Sequence, residues 1–243
     1  MRRLAFSAVS LLLFALPGFS QWKLDDAFKV QKPEDKTDVA STKPPEKAIV
    51  LFDGKSMDAW VKRDGKSNPG WKIVDSNLEA VKGQGDIISK QRFDGKFKLH
   101  VEFRVPYEPE LKQGQGRGNS GVYLQGRYEV QILDSYGIKS GKNDCASIYD
   151  IHAPIKNVCK APTVWQSYDI DFTSPQFDAA GKKTKPVQMT VYHNGTLVQD
   201  HMSVNKDNTT SGMGGDPKTP GPIMLQEHGH RIQFRNVWLL PIQ

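Results

Sequence analysis

The stretch FKLHVEFRV, residues 97–105, most constrains what this chain can fold into. Phe97, Leu99, Val101, Phe103 and Val105 fall on one side of an extended backbone, and Lys98, His100, Glu102 and Arg104 on the other, because successive strand side chains point to opposite faces. One face therefore packs on a core while the other meets water or a ligand, the pattern of an antiparallel sheet. Similar runs recur: KAIVLF from Lys47, WKIVDS, NLEAVK and DIISK between Trp71 and Lys90, and SGVYLQ and RYEVQILDS between Ser120 and Ser135. WQSYDIDFTS, VQMTVYH, TLVQD, IMLQEH and RIQFRNVWLL follow, with Asn194-Gly195 suited to a tight hairpin. No long amphipathic helix and no internal repeat interrupts them. About a dozen strands separated by turns predict an all-β fold, an antiparallel β-sandwich of jelly-roll type, whose outer face can form a ligand groove.

The 243 residues suffice for one such domain, expected over 47–243. MRRLAFSAVSLLLFALPGFS, residues 1–20, has a positive end, an apolar run and small residues before Gln21, the pattern of a signal peptide. At about 13 residues the apolar run is too short to span a bilayer, so an exported chain, periplasmic or extracellular, with no stable membrane insertion is expected. Residues 21–46 are polar, with Pro33, Pro44 and Pro45, and read as a flexible leader. Loss of Arg2 and Arg3 takes the formal charge from +6 down by two to +4, and the remaining lysines are scattered rather than striped, so no nucleic-acid partner is expected. Cys145 and Cys159 are the only cysteines. Their even count in an exported chain predicts a disulfide closing a loop of about 15 residues, worth roughly 3 kcal/mol in the chain-entropy model. Zinc ligation lacks the usual CxxC spacing.

The closing block IMLQEHGHRIQFRNVWL, Ile223 to Leu239, carries more ionisable and amide chemistry than a strand needs. It reads as two strands about the Gly229 turn. Ile232, Phe234 and Trp238 are expected in the core, with Gln226, His228, Gln233 and Arg235 along a groove edge. Trp60 and Trp71 are likewise expected in the core, and Tyr107, Tyr136 and Trp165 as groove walls.

Five segments taken together, LFDGKSMDAW (51–60), GWKIVDSNLEA (70–80), FKLHVEFRV (97–105), GNSGVYLQGRYEVQILDS (118–135) and GPIMLQEHGHRIQFRNVWLLPI (221–242), resemble the 3-keto-disaccharide hydrolase family. The resemblance covers about 47–242. It implies a concanavalin A-like lectin/glucanase fold and cleavage of 3-keto-glycosides, sugars already oxidised to a ketone at C3. It also makes a bound divalent metal plausible, although the sequence has neither an HExxH nor an EF-hand motif.

Ordinary glycosidases set two carboxyl groups across the scissile bond. In YEVQILD, Glu129 shares its face with Gln131 and Leu133, so a same-strand carboxylate pair is missing. A C3 ketone makes the C2 hydrogen acidic, so one base, one acid and positive charge at the enolate oxygen suffice. The expected catalytic residues are Glu129, His228 and Arg235. Glu102, Arg104, Asn119, Gln131, Gln226 and Gln233 are expected to bind the oligosaccharide or 3-keto-glycoside. A solvated Glu102–Arg104 pair, an Asn119 that only shapes a turn, a backbone-bonded His228 and an Arg235 that pairs with Glu129 or Glu102 remain open. His152, beside Asp150, is a weaker candidate for a site wall or metal ligand. Non-catalytic sugar binding and conventional glycoside hydrolysis are the alternatives.

Overall fold

The computed structural model describes residues 37–242. The signal peptide expected at 1–20 and most of the leader expected at 21–46 lie outside the described residues. Among those described there is no α-helix, and no helix is long and apolar enough to cross a membrane.

The strands are β1 (Ile49–Phe52), β2 (Trp60–Lys62), β3 (Lys72–Val74), β4 (Asn77–Glu79) and β5 (Ile87–Phe93). Then come β6 (Lys96–Arg104), β7 (Ser120–Leu124), β8 (Tyr128–Ile132), β9 (Gln166–Thr173) and β10 (Gln176–Phe177). The last five are β11 (Lys183–Lys185), β12 (Val187–His193), β13 (Thr196–Val204), β14 (Gly221–Leu225) and β15 (Gln233–Ile242). An eight-stranded sheet runs β13-β12-β9-β6-β15-β4-β3, with β1 also paired to β15. A five-stranded sheet runs β2-β5-β14-β7-β8, and β10 and β11 form a separate hairpin. Every pairing is antiparallel, so the expected all-β sandwich is what the chain forms.

The core lies between the two large sheets. From β6 it takes Phe97, Leu99, Val101 and Phe103, and from the facing sheet Val122, Leu124, Tyr128, Val130, Ile132, Ile223 and Leu225. Each such large side chain contributes about 1.5–3 kcal/mol when fully buried. The Asn194-Gly195 turn joins β12 to β13 with both residues at positive φ, 53° and 74°, as a type I′ turn requires.

β15 departs from the expected pattern. Between Arg235 and Trp238 its register with β6 shifts, and Asn236 sits at a φ of 47°. Two residues, Asn236 and Val237, occupy the space of one, so the parity of everything beyond is reversed. Val237 turns into the core, whereas Trp238, expected there, faces outward. Trp238 stacks on His100 with ring centroids 4.9 Å apart and donates its indole N–H to the Thr42 carbonyl at 3.2 Å.

The described part of the leader, 37–46, is docked rather than free. The Trp165 amide donates to Asp38 Oδ1 at 2.9 Å, and the Val39 amide to the Trp165 carbonyl at 3.1 Å. Beyond them, Ser41 and Thr42 cap a fully buried carboxylate, Glu102. It accepts from Arg235 Nε at 2.6 Å, Asn236 Nδ2 at 2.7 Å, Ser41 Oγ at 2.5 Å and the Thr42 amide at 3.2 Å. His100 Nε2 lies 3.4 Å away, and its Nδ1 meets Asp169 at 2.9 Å. Composition does not reveal this strap, because it is held by an acceptor on β6, Glu102, together with donors on β15, Asn236 Nδ2 and Trp238 Nε1, that only folding brings together.

The expected disulfide is not formed. Cys145 and Cys159 are buried side by side as free thiols, and Cys145 Sγ contacts Tyr168 Oη at 3.1 Å. That hydroxyl gives the Cys145 sulfur a polar partner where a bonded sulfur was expected.

Burial pushes the Glu102 carboxyl up, but the hydrogen bonds from His100, Asn236, Ser41 and Arg235 outweigh it and hold it at about 2, against an ordinary 4.5. A lowered carboxyl stabilises the fold fully above its unfolded value, and the contribution is lost as pH falls from about 4.5 towards 2. Glu102→Gln is expected to cost about 3 kcal/mol at pH 7 and to flatten the acid limb of stability, read by urea unfolding at a series of pH values.

Candidate active site

Cross-strand pairing fixes which polar residues share a surface. On the five-stranded sheet, Tyr123 lies opposite Glu129, Gly121 opposite Gln131, and Met224 opposite Tyr123. These residues alternate with the core-facing Val122, Val130 and Leu225, so they make up the outer face. Gln226 joins it at the end of β14: its amide donates to the Gly121 carbonyl at 3.0 Å and its Nε2 to Tyr123 Oη at 3.0 Å.

Glu129 is 2 % exposed, and its Oε2 has no hydrogen-bond partner. Gly121 makes room for it. A Cβ at position 121 would lie 2.5 Å from Glu129 Oε1 and 2.9 Å from the Tyr123 ring, so no other residue fits without moving the carboxyl. The Tyr123 hydroxyl accepts from Gln226 and donates to Glu129, a one-way chain of hydrogen bonds ending on the carboxyl. Burial raises the Glu129 carboxyl to about 7. The charge of Asp86 adds to that, and the Tyr123 hydrogen bond only partly offsets it. Asp86 is itself engaged by Arg63 at 2.9 Å and by the Glu227 amide at 3.0 Å.

Two loops border this face. Thr209 Oγ1 donates to the Arg127 carbonyl and accepts from the Glu129 amide at 3.2 Å, while Met213 packs on the outer cluster of Val61, Ile88, Tyr123 and Met224. Arg127, buried between them, donates to carbonyls of Gly214, Asp216 and Thr219 and holds this loop in place. On the other side Asn119 Nδ2 donates to the Gln115 carbonyl at 2.9 Å and to its Oε1 at 3.1 Å. Gln131 Nε2 reaches Gln115 Oε1 at 3.4 Å and the Asn143 carbonyl at 3.5 Å.

Of the expected site, Glu129, Gln131, Asn119 and Gln226 are brought together. His228 is exposed on the turn just beyond Gln226, a turn tied down by Glu227, which accepts from Gly83 at 2.9 Å and Gly85 at 3.3 Å. Arg235, Glu102, Arg104 and Gln233 are not part of this site. They lie on the outer face of the other sheet, where Arg235 pairs with Glu102 and Arg104 Nε donates to Gln233 Oε1 at 2.8 Å. Packed sheets stand about 10 Å apart, and the two sets point away from each other across the core, so Arg235 cannot act beside Glu129. Trp165, expected as a groove wall, belongs to that second face, with the Arg104 and Arg235 guanidiniums 4.8 and 4.2 Å from its ring. His152 meets the Ser203 carbonyl at 3.3 Å, and Asp150 pairs with Lys142.

Sequence reasoning missed Tyr123, Gly121 and Glu108. The first two read as strand residues, and only the register with β8 gives them a role. Glu108, in the loop after β6, binds His230 Nδ1 at 2.7 Å and the Gly118 amide at 3.0 Å, joining the loop before Asn119 to the turn after His228. An open cavity of about 700 Å³ beside the strap is lined by Lys43, Asp53, Asp75, Arg235 and Asn236. Its lining mixes those groups with Pro44, Val50 and Phe52, whereas Glu129 is a buried carboxyl with an unpartnered oxygen and a value near neutrality, the stronger mark of chemistry.

The family of 3-keto-alpha-glucoside-1,2-lyase-like domains matches residues 47–240. The chain belongs to this family. A solved structure of a proposed glycosyl hydrolase from Parabacteroides distasonis ATCC 8503 is 36% identical, covers 82% of this chain and 85% of its own, and has a TM-score of 0.71. Two further proposed glycosyl hydrolases of that organism share the fold. One is 18% identical with a TM-score of 0.57, over 82% of this chain and 95% of its own; the other is 22% identical at 0.53, over 81% and 100%. The comparison with curated proteins finds no match. Together these findings support a carbohydrate-active protein. As for a metal, the one group of three His, Cys, Asp or Glu side chains that converges among the described residues lies in the core, not on the Glu129 face.

A carboxyl raised in the folded state stabilises below its unfolded value, and that stabilisation is lost as pH rises through the folded one. Glu129 therefore costs stability from about pH 4.5 upward, with the full cost above about 7. Glu129→Gln is expected to be more stable than the parent at pH 8 and similar to it at pH 4, which thermal unfolding at the two pH values checks.

Proposed function

We propose that this protein cleaves the glycosidic bond of 3-keto-glycosides, with Glu129 as the base. The observation that supports this reading best is the Glu129 carboxyl itself: buried, near neutrality, and with one oxygen unpartnered. Its carboxylate would take the C2 proton, and the C2–H electron pair would form the enolate of the C3 ketone. The enolate then forms the C1–C2 double bond as the C1–O bond breaks, and the leaving oxygen takes a proton. Water adds at C1 with a proton returning to C2, so the net reaction is hydrolysis.

A base titrating near 7 balances the ionised fraction at neutral pH against basicity. Gln226 and Tyr123 hold the Glu129 carboxyl in place, and Gln131 and Asn119 offer amides to sugar hydroxyls. His228, exposed two residues beyond Gln226, is the proposed acid for the leaving oxygen. Conventional hydrolysis is the weaker reading, because Gln131 takes the second carboxylate's place and Asp86 is held by Arg63.

A 3-keto-glucoside is expected to turn over while its unoxidised parent does not, and C2 deuteration should slow the reaction. kcat/KM should rise with pH through about 7, and Glu129→Gln should lower kcat by about 10²–10⁴-fold with the fold intact. Equal turnover of the parent glycoside would overturn the keto-specific reading. Binding without turnover would favour a lectin-like module. Export is supported by the pattern at residues 1–20 alone, and expression in a bacterial host should yield a mature N-terminus at Gln21, read by mass spectrometry.

A further inference from the structure

Below the candidate site, three metal-competent side chains from distant parts of the chain meet in the core. Cys145 Sγ, Cys159 Sγ and a ring nitrogen of His193 lie within 4.8 Å of one another, and all three residues are buried. Cys145 begins the segment that runs along the free edge of β8, Cys159 follows the intervening loop, and His193 ends β12. Spacings of this kind leave no contiguous motif.

The histidine is posed in a particular way. Gln166 Oε1 accepts the Lys160 amide at 2.8 Å and lies 2.9 Å from His193 Nε2. That oxygen is an acceptor, so Nε2 carries the proton and Nδ1 the lone pair. A ring fixed by one N–H on a carbonyl oxygen is how metal-ligating histidines are oriented. A disulfide would account for the two sulfurs but not for the histidine placed against them.

The geometry points to a structural site in which Cys145, Cys159 and His193 bind a soft d¹⁰ cation, Zn²⁺ or Cu⁺. Thiolate and imidazole donors select such ions over Mg²⁺ or Ca²⁺. Binding releases the thiol protons, and two thiolates around Zn²⁺ leave the buried complex with no net charge, which limits the desolvation cost. Three protein donors satisfy Cu⁺, while Zn²⁺ would take a fourth ligand beyond them; Tyr168 Oη lies beside the set, 3.1 Å from Cys145 Sγ. The same hydroxyl donates to the Gln131 carbonyl at 2.6 Å, and the Ala146 amide reaches that carbonyl at 2.9 Å. The ion would thus brace the strand that carries Glu129 and Gln131.

The test uses the full chain, purified without chelator. Metal content is measured directly and after addition of Zn²⁺ alone or Cu⁺ alone, and thiols are counted by alkylation after unfolding. The expected result is one equivalent of one of these ions, two alkylatable thiols once the metal is removed, and a higher Tm with metal than without. His193→Gln, which leaves both cysteines, should weaken binding at least tenfold, and Gln166→Leu by about 10–100-fold. Two outcomes with the parent protein alone would overturn the site. One is a mass lower by two hydrogens with no alkylatable thiol, which marks a disulfide; the other is two free thiols and no retained Zn²⁺ or Cu⁺. Binding by His193→Gln as tight as the parent's would remove the histidine from the set.

Discussion

Two sheets share one apolar core, and side chains alternate along each strand except at irregularities such as the bulge at Asn236. Every residue that is not in the core must therefore leave the sandwich by one of two outer faces. On β6 and β15 that places His100, Glu102, Arg104, Gln233 and Arg235 on one side of the molecule. On β7, β8 and β14 it places Tyr123, Glu129, Gln131 and Gln226 on the other. Polar groups that look equivalent in sequence thereby acquire different tasks.

The two buried glutamates show how this partition sets chemistry. Both lose the same water. Glu102 gains an arginine, an asparagine, a serine, a histidine and a backbone amide, and stays ionised far below the ordinary range. Glu129 gains one tyrosine hydroxyl and the charge of Asp86, keeps an unpartnered oxygen, and titrates near neutrality. Neighbours that push two similar carboxyls apart are what separates a structural anchor from an acid–base group. Glu102 secures the strap of residues 38–42 to the sheet. Glu129 costs stability at neutral pH, as the base proposed for it would be expected to.

Much of the fold was legible along the chain. Alternation at 97–105, the Asn194-Gly195 turn and the runs around Val122, Val130 and Ile170 each became strands or turns where expected. So did the shared face of Glu129 and Gln131, because period-two alternation needs only local sequence. β2 and the short β10–β11 hairpin carry too few residues to show a period. The bulge at Asn236 was hidden as well, since one extra residue has no compositional mark yet reverses the facing of Trp238. The candidate site was half legible: Asn119, Glu129, Gln131 and Gln226 are gathered, while Arg235 is not.

By itself, then, the sequence determined the class of fold, the inward and outward residues of most strands, and the family to which the chain belongs. These follow from local backbone geometry and from motifs read along one chain. Only the tertiary structure decided which outward residues meet. That depends on sheet order, register and one bulge, which are settled by how two sheets fill a common core. Tyr123 reaches Glu129 because β7 pairs with β8, and Arg235 is kept from it because the apolar core stands between them.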